Sequence, residues 1–276
     1  MVKFGFIGFG SMAKMLIHSL VEYAEVSASD IIVTRKDKSK LTEITAMYPD
    51  IQIGQTSIEV ADISEYIFIC VKPADLKSVL LEMKPSIRNT THIISLAGTV
   101  NLKNILNLVD CKVTKLMPTI VSEIGEGISL ICHSEKVTEK DEQLLNQYIG
   151  KLGALKIVAD KDIGFAAELT SCAPGFIASI FDNMTKIAAL HTSSFTIDEI
   201  KEMVTHTLYA TSKLLLDKGL DYTDLIGRVA TKGGITEEGV LVFNEMLPAV
   251  FEAMFNKTLG KRAIVEKRIS DDFSLL

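Results

Sequence analysis

The chain has 276 residues, 47% of them hydrophobic and 23% charged, and a formal net charge of −6. That is enough apolar material for one large or two medium domains, and it excludes a disordered chain. The acidic balance, the lack of Trp and the 7% aromatic content argue against a nucleic-acid partner. No run approaches the ~18 apolar residues that a membrane helix needs. No signal peptide is read at the N-terminus, so no membrane partner is expected and a reducing cytoplasm is the expected compartment. Cys70, Cys111, Cys132 and Cys172 form no C-x-x-C pair and the five histidines no H-x-x-x-H pair, so no metal site is expected.

In chain order, Val2–Ile7 reads as a buried strand, and residues 12–23 carry the helical spacing Met12, Met15, Leu16, Leu20. Short apolar strands follow at 31–33, 66–71, 92–96 and 113–117, with further ones at 128–132 and 155–158. Continuous apolar strands separated by helical segments predict an α/β unit whose mostly parallel sheet is covered on both faces, with the late strands as a candidate antiparallel extension. After about Asp160 the chain reads as helices. Phe176, Ile177, Ile180, Phe181, Met184, Ile187 and Ala188 form a stripe wide enough to need cover on more than one side, which points to a dimer interface. Thr196 with Glu199 is a capping box, Gly219 stops that helix, and a last helix is expected over 240–255. The charged end, 261–276, is expected to be loosely held. The predicted division is 1–160 and 161–276.

Gly8-Phe9-Gly10-Ser11-Met12-Ala13 is G-x-G-x-x-A, placed after a strand and opening a helix. Gly8 permits the tight turn, Gly10 lets backbone approach a pyrophosphate, and Ala13 lets helix and strand pack closely. The helix N-terminus then offers free N–H groups to phosphate. An NAD site would place an acid about 20 residues on, for the ribose 2′-OH. Here Thr34-Arg35-Lys36 ends the second strand, with Lys38 near, so the cations predict a 2′-phosphate and NADP(H) as cofactor.

That G-x-G-x-x-A start, Val71-Lys72-Pro73, Ala97-Gly98, Met117-Pro118, Gly125-Glu126-Gly127, Ser171-Cys172-Ala173-Pro174 and Lys232-Gly233-Gly234-Ile235-Thr236 occur in order along the chain. Together they resemble the pyrroline-5-carboxylate reductases. The resemblance implies an N-terminal Rossmann domain and an all-α C-terminal domain that builds a homodimer or larger homo-oligomer. It implies NADPH-dependent reduction of a cyclic imino acid, pyrroline-5-carboxylate to proline. It also implies that Gly8, Gly10, Ser11, Met12 and Ala13 hold the pyrophosphate, that Val71, Lys72 and Pro73 line the adenosine and ribose path, and that Ala97 and Gly98 face the nicotinamide. Thr231, Gly233, Gly234 and Thr236 would form the substrate loop. There the two glycines would present successive N–H groups to a carboxylate, and Thr236 would cap the following helix and hydrogen-bond the substrate as the catalytic-site hydroxyl. A protonated cyclic imine is already electrophilic, so alignment matters more than a strong general acid.

The departures lie at the substrate end. Lys115-Leu116-Met117-Pro118-Thr119 stands where the family has Arg-x-Met-Pro-Asn, and Ser171-Cys172-Ala173-Pro174-Gly175-Phe176 replaces Gly-Ser-Gly-Pro-Ala-Tyr. Asp182 replaces a glutamate, and Thr231-Lys232-Gly233-Gly234-Ile235-Thr236 replaces Ser-Pro-Gly-Gly-Thr-Thr. Such variants resemble the branch of competence-operon-associated ComER-type proteins, which leaves an NADP-binding regulatory module as one alternative. A β-hydroxyacid dehydrogenase is another, but residues 169–183 lack the Lys of its G-x-x-x-K-x-x-N pattern.

Overall fold

A computed structural model describes residues 2–275. Its first part runs β1 (Val2–Ile7), α1 (Ser11–Glu22), β2 (Ile31–Thr34), α2 (Thr42–Met47), β3 (Gln52–Ile53), α3 (Ser57–Ile63), β4 (Ser64–Ile69), α4 (Pro73–Met83), β5 (His92–Ser95), α5 (Leu102–Leu106), β6 (Lys112–Met117), β7 (Ile128–His133), α6 (Glu139–Ile149) and β8 (Ala154–Ile157). The helices α7 (Ile163–Ala167), α8 (Ala173–Ala189), α9 (Ile197–Lys218), α10 (Tyr222–Val229) and α11 (Ile235–Phe273) follow.

The eight strands form one sheet in the order β3-β2-β1-β4-β5-β6-β7-β8. Neighbours are parallel except β6 and β7, which supply the antiparallel step. Strand order therefore reverses between β1 and β4. In a parallel α/β sheet that reversal opens a crevice at the carboxyl ends of the strands, where such folds bind ligands.

Period-two alternation sends each strand's side chains to two cores. Phe4 and Phe6 pack with Leu16, Ile17, Leu20 and Ile149 on one face. Ile67, Ile69 and Ile93 pack with Leu76, Leu80 and Ile105 on the other. Ile269 and Phe273, the last buried residues of α11, complete the second core at 4% and 6% exposure. The C-terminal segment is thus a packed helix end and not a loose tail. Its i,i+4 apolar pair is embedded among charged residues, which masks it in the sequence. The expected last helix over 240–255 is likewise the middle of a 39-residue helix.

Two compact units result, Met1–Pro174 with Lys261–Leu276, and Gly175–Gly260. They part at 174/175, where the sequence reading divided the chain at 160. In the second unit, Thr196 and Glu199 form the expected reciprocal capping box, and Gly219 ends α9 in the left-handed conformation. Ile177, Ile180, Met184 and Ile187 of α8 are 43% to 57% exposed in the single chain.

At the amino end of the sheet, Thr114 Oγ1 lies 2.7 Å from both His92 Nε2 and His133 Nδ1. Burial holds His92 neutral and pushes its pKa down to about 4, against the opposing charge of nearby Asp141. Burial also lowers that of His133. A histidine with a depressed folded pKa stabilises the fold fully above its unfolded value near 6.5, and that stability is lost as pH falls below it. Urea unfolding should therefore show stability falling between pH 6.5 and 4, by up to about 3 kcal/mol from His92, with a smaller decline in His92→Gln. Separately, Phe273→Ala should lower stability by about 3 kcal/mol, measured by the same titration at pH 7.5.

Candidate active site

The carboxyl end of β1 enters the crevice at Gly8, with φ +94°. A Cβ there would lie 2.9 Å from the carbonyl carbon and oxygen of Cys70, so only glycine fits. Gly8 N–H donates to the Thr34 carbonyl at 2.9 Å, and Cys70 N–H donates to the Ile7 carbonyl at 2.8 Å. The ends of β1, β2 and β4 are thereby pinned together. Gly10 precedes α1 in an extended conformation with no side-chain cap, and the first turn of α1 carries no acid. A Cβ on Gly10 would meet nothing within 4 Å. The free N–H groups at 11–13 and the positive end of the helix dipole therefore face open space, which suits a phosphate. Ala13 is fully buried beneath them. The five residues predicted for the pyrophosphate are brought together at this turn.

At the end of β2, Phe9, Gly10, Lys14, Arg35, Lys40 and Thr42 line a cleft of about 540 Å³. Arg35 Nη1 donates to the Phe9 carbonyl at 2.6 Å, which anchors the guanidinium across the glycine turn. Lys36 is not in this lining: it is 90% exposed and lies 3.7 Å from Asp75. Lys38 is turned inward, donating to Thr34 Oγ1 at 2.7 Å and to the Gln55 carbonyl at 3.0 Å. Lys40 and Ser39 reach the cleft instead, and the sequence reading missed both. The available signal was Asp37, whose carboxylate accepts from the backbone N–H and the hydroxyl of Ser39 and turns the chain back.

Farther along the crevice, Lys72 and Pro73 open α4, Pro73 at its first position, and Val71 Cγ1 crowds Gly8. Ala97 is buried. Gly98 abuts Met117, whose Sδ would lie 2.1 Å from a Cβ there. Gly98 also borders a cavity of about 400 Å³ shared with Lys115, Asp160, Gly164 and Glu266. Lys115 is fully buried and donates to Asp160 Oδ1 at 2.6 Å, while Asp160 Oδ2 accepts from Leu102 N–H at 2.8 Å. One ion pair thus ties β6, the start of α5 and the approach to α7 around Gly98.

A π-helical turn, Glu168–Cys172, joins α7 to α8. Its loosened backbone is held by Thr119, whose hydroxyl donates to the Thr170 carbonyl at 3.0 Å, and by Ser171, whose hydroxyl donates to the Pro118 carbonyl at 3.1 Å. Glu168 is buried against Arg262 at 3.0 Å. Burial pushes the Cys172 thiol up, away from a nucleophilic thiolate. Asp182 is exposed and pairs with Lys186 at 2.6 Å.

The 231–236 loop lies in the second unit. There α11 begins at Ile235, so Thr236 sits inside the first turn, exposed, and is not the cap. The two glycine N–H groups are not free either. Gly233 N–H donates to Glu237 Oε2 at 2.6 Å, and Gly234 N–H to the Thr231 carbonyl at 2.8 Å. Gly233, with φ +74°, closes the turn tightly enough for both.

The family model described as NADP oxidoreductase coenzyme F420-dependent matches residues 3–98, and that described as pyrroline-5-carboxylate reductase dimerisation matches 160–263. Pyrroline-5-carboxylate reductase 3 of Bacillus subtilis is 31% identical over 98% of both chains. This chain belongs to the pyrroline-5-carboxylate reductase family. The ComE operon protein 4 of the same organism is also similar, at 26% identity over 93% of this chain and 94% of that one. The structure of a Plasmodium falciparum pyrroline carboxylate reductase with NADP bound shares the fold, with a TM-score of 0.82 at 20% identity over 97% of this chain and 98% of that one.

Ile163–Ala189 is, by length and composition alone, long and apolar enough to cross a membrane, and 22% of its most apolar window is buried. The sequence reading found no such run because Glu168, Asp182 and Lys186 interrupt it. The stretch falls within residues 160–263, which match the reductase family's dimerisation model.

The Lys115–Asp160 pair is asymmetric, because Lys115 is sealed and the Asp160 side chain is 27% exposed. Asp160→Asn leaves a buried charge unpaired and should destabilise by about 3–5 kcal/mol. Lys115→Met leaves a carboxylate that water can reach and should cost clearly less, as chemical denaturation of the two variants will show.

Proposed function

We propose that the protein reduces 1-pyrroline-5-carboxylate to L-proline with NADPH, in the cytoplasm, as a homodimer or larger homo-oligomer. The observation that carries this reading is the acid-free, uncapped α1 terminus at the sheet's switch point, open above Gly10 and flanked by Arg35. It comes in a chain similar to a reductase over nearly its full length. When bound, NADPH supplies the hydride.

The chain's own residues do the holding. Gly8, Gly10 and the N–H groups of Ser11, Met12 and Ala13 take the pyrophosphate, and Arg35, with Lys40 and Ser39, takes the 2′-phosphate. Lys36 serves only as a nearby charge. Val71, Lys72 and Pro73 border the ribose path, and Ala97 and Gly98 form the nicotinamide floor, which Met117 and the Lys115–Asp160 pair keep in place. Thr231, Gly233, Gly234 and Thr236 form the substrate loop, where the Thr236 hydroxyl is available to the imine nitrogen or the carboxylate. The iminium brings its own proton, so alignment by these groups supplies most of what the reaction requires. Exposed apolar side chains on α8 and on α11, including Phe243 and Met246, supply the surface for a second copy.

Steady-state NADPH oxidation with pyrroline-5-carboxylate tests this. Arg35→Asp should raise the KM for NADPH by about tenfold or more and leave that for NADH nearly unchanged. Lys36→Ala should alter neither. Thr236→Ala should lower turnover about tenfold with NADPH affinity retained. Tight NADPH binding without turnover in the wild type would overturn the assignment in favour of a binding module.

A further inference from the structure

Resting on that reading, the substrate loop carries a feature of its own. Gly233 has a positive φ, and its N–H is taken by the Glu237 carboxylate at 2.6 Å. Gly234 N–H is committed to main chain, at the Thr231 carbonyl. The Gly233 donor can therefore be released by one side-chain rotation, whereas freeing the Gly234 donor would require the turn itself to open. Glu237 stands three residues past Gly234, the position from which an acidic side chain reaches back to the start of its helix. Glu238 adds a second acid in the same turn, and Lys232 is the neighbouring cation, exposed to solvent. A carboxylate is already seated where the loop has an N–H to offer an anion.

We infer that Glu237 is a specificity-determining residue: its carboxylate competes with the carboxylate of an imino-acid substrate for the N–H groups of the 231–236 loop. A substrate carboxylate must displace Glu237 from Gly233. If it takes the free N–H groups of Ile235 and Thr236 instead, it sits beside a like charge within one helical turn, which is also unfavourable. A cyclic imine without a carboxylate meets no such competition. The chain therefore discriminates less strongly between carboxylated and plain cyclic imines than the same loop would without Glu237.

Glu237→Gln separates competition from mere helix capping, because a glutamine at this position still accepts from backbone N–H and only the charge is lost. The variant and the wild type are assayed with pyrroline-5-carboxylate and with 1-pyrroline, which lacks the carboxylate. L-proline binding to the NADP-loaded protein is measured by calorimetry. Glu237→Gln should lower the KM for pyrroline-5-carboxylate and the Kd for proline by roughly 3- to 10-fold, the difference between a charged and a neutral hydrogen-bond partner. The KM for 1-pyrroline and for NADPH should stay within about twofold. Equal KM changes for both imines would overturn the inference, because Glu237 would then act on the ring or only on the fold. Absence of turnover in the wild type with both imines would sink the assigned reaction, and the proline titration still decides the present point. Tighter binding to the variant supports competition; equal or undetectable binding in both proteins overturns it.

Discussion

Backbone against backbone at Gly8 is the constraint on which the cofactor end depends. A Cβ there would press on the Cys70 carbonyl at 2.9 Å, so the ends of β1 and β4 sit closer than any side chain allows. The closeness lets Gly8 N–H reach Thr34 and Cys70 N–H reach Ile7, and it fixes the direction in which α1 leaves the sheet. With α1 so directed, its uncapped N–H groups converge on the crevice, and Phe9 is placed where its carbonyl can anchor Arg35. One tight contact thus sets both the uncapped start of α1 and the position of the Arg35 guanidinium beside it.

Gly98 is constrained in the same way. Gly98 has room only because it has no side chain, and Met117 fills that room. Beneath them Lys115 carries a buried positive charge, which is unfavourable unless it is matched. Asp160 matches it and spends its second oxygen on Leu102 N–H. The pair adds little net stability of its own; its value is geometric, since it fixes three chain segments relative to one another.

Much of this was legible in the sequence where the signal is local. The β1–glycine–α1 junction, the Thr196–Glu199 box and the Gly219 stop each lie within a few residues, and the structure has them where periodicity and capping chemistry place them. What escaped was non-local or hidden by composition. Lys115 and Asp160 are 45 residues apart, and nothing in either neighbourhood announces the other. Lys36, Lys38 and Lys40 are equivalent as letters, and only the turn made by Asp37 decides that Lys40 lines the cleft while Lys36 faces Asp75. Ile269 and Phe273 lie among charges that read as a solvated tail. The Gly233-Gly234 pair was visible as a turn, but which partners its N–H groups take depends on Glu237 and Thr231 folding back.

The last turns of α11 also bear on how the chain folds. Ile269 and Phe273 belong to the core of the unit that begins at residue 1, packed with Val79, Leu80 and Ile105. Every strand of the sheet lies more than a hundred residues before Ile269, so the two residues reach that core from far along the chain. Contacts of such sequence separation form slowly and leave apolar surface uncovered meanwhile. Closure of that core therefore depends on contacts between residues 79–105 and 269–273, separated by more than 160 residues of chain.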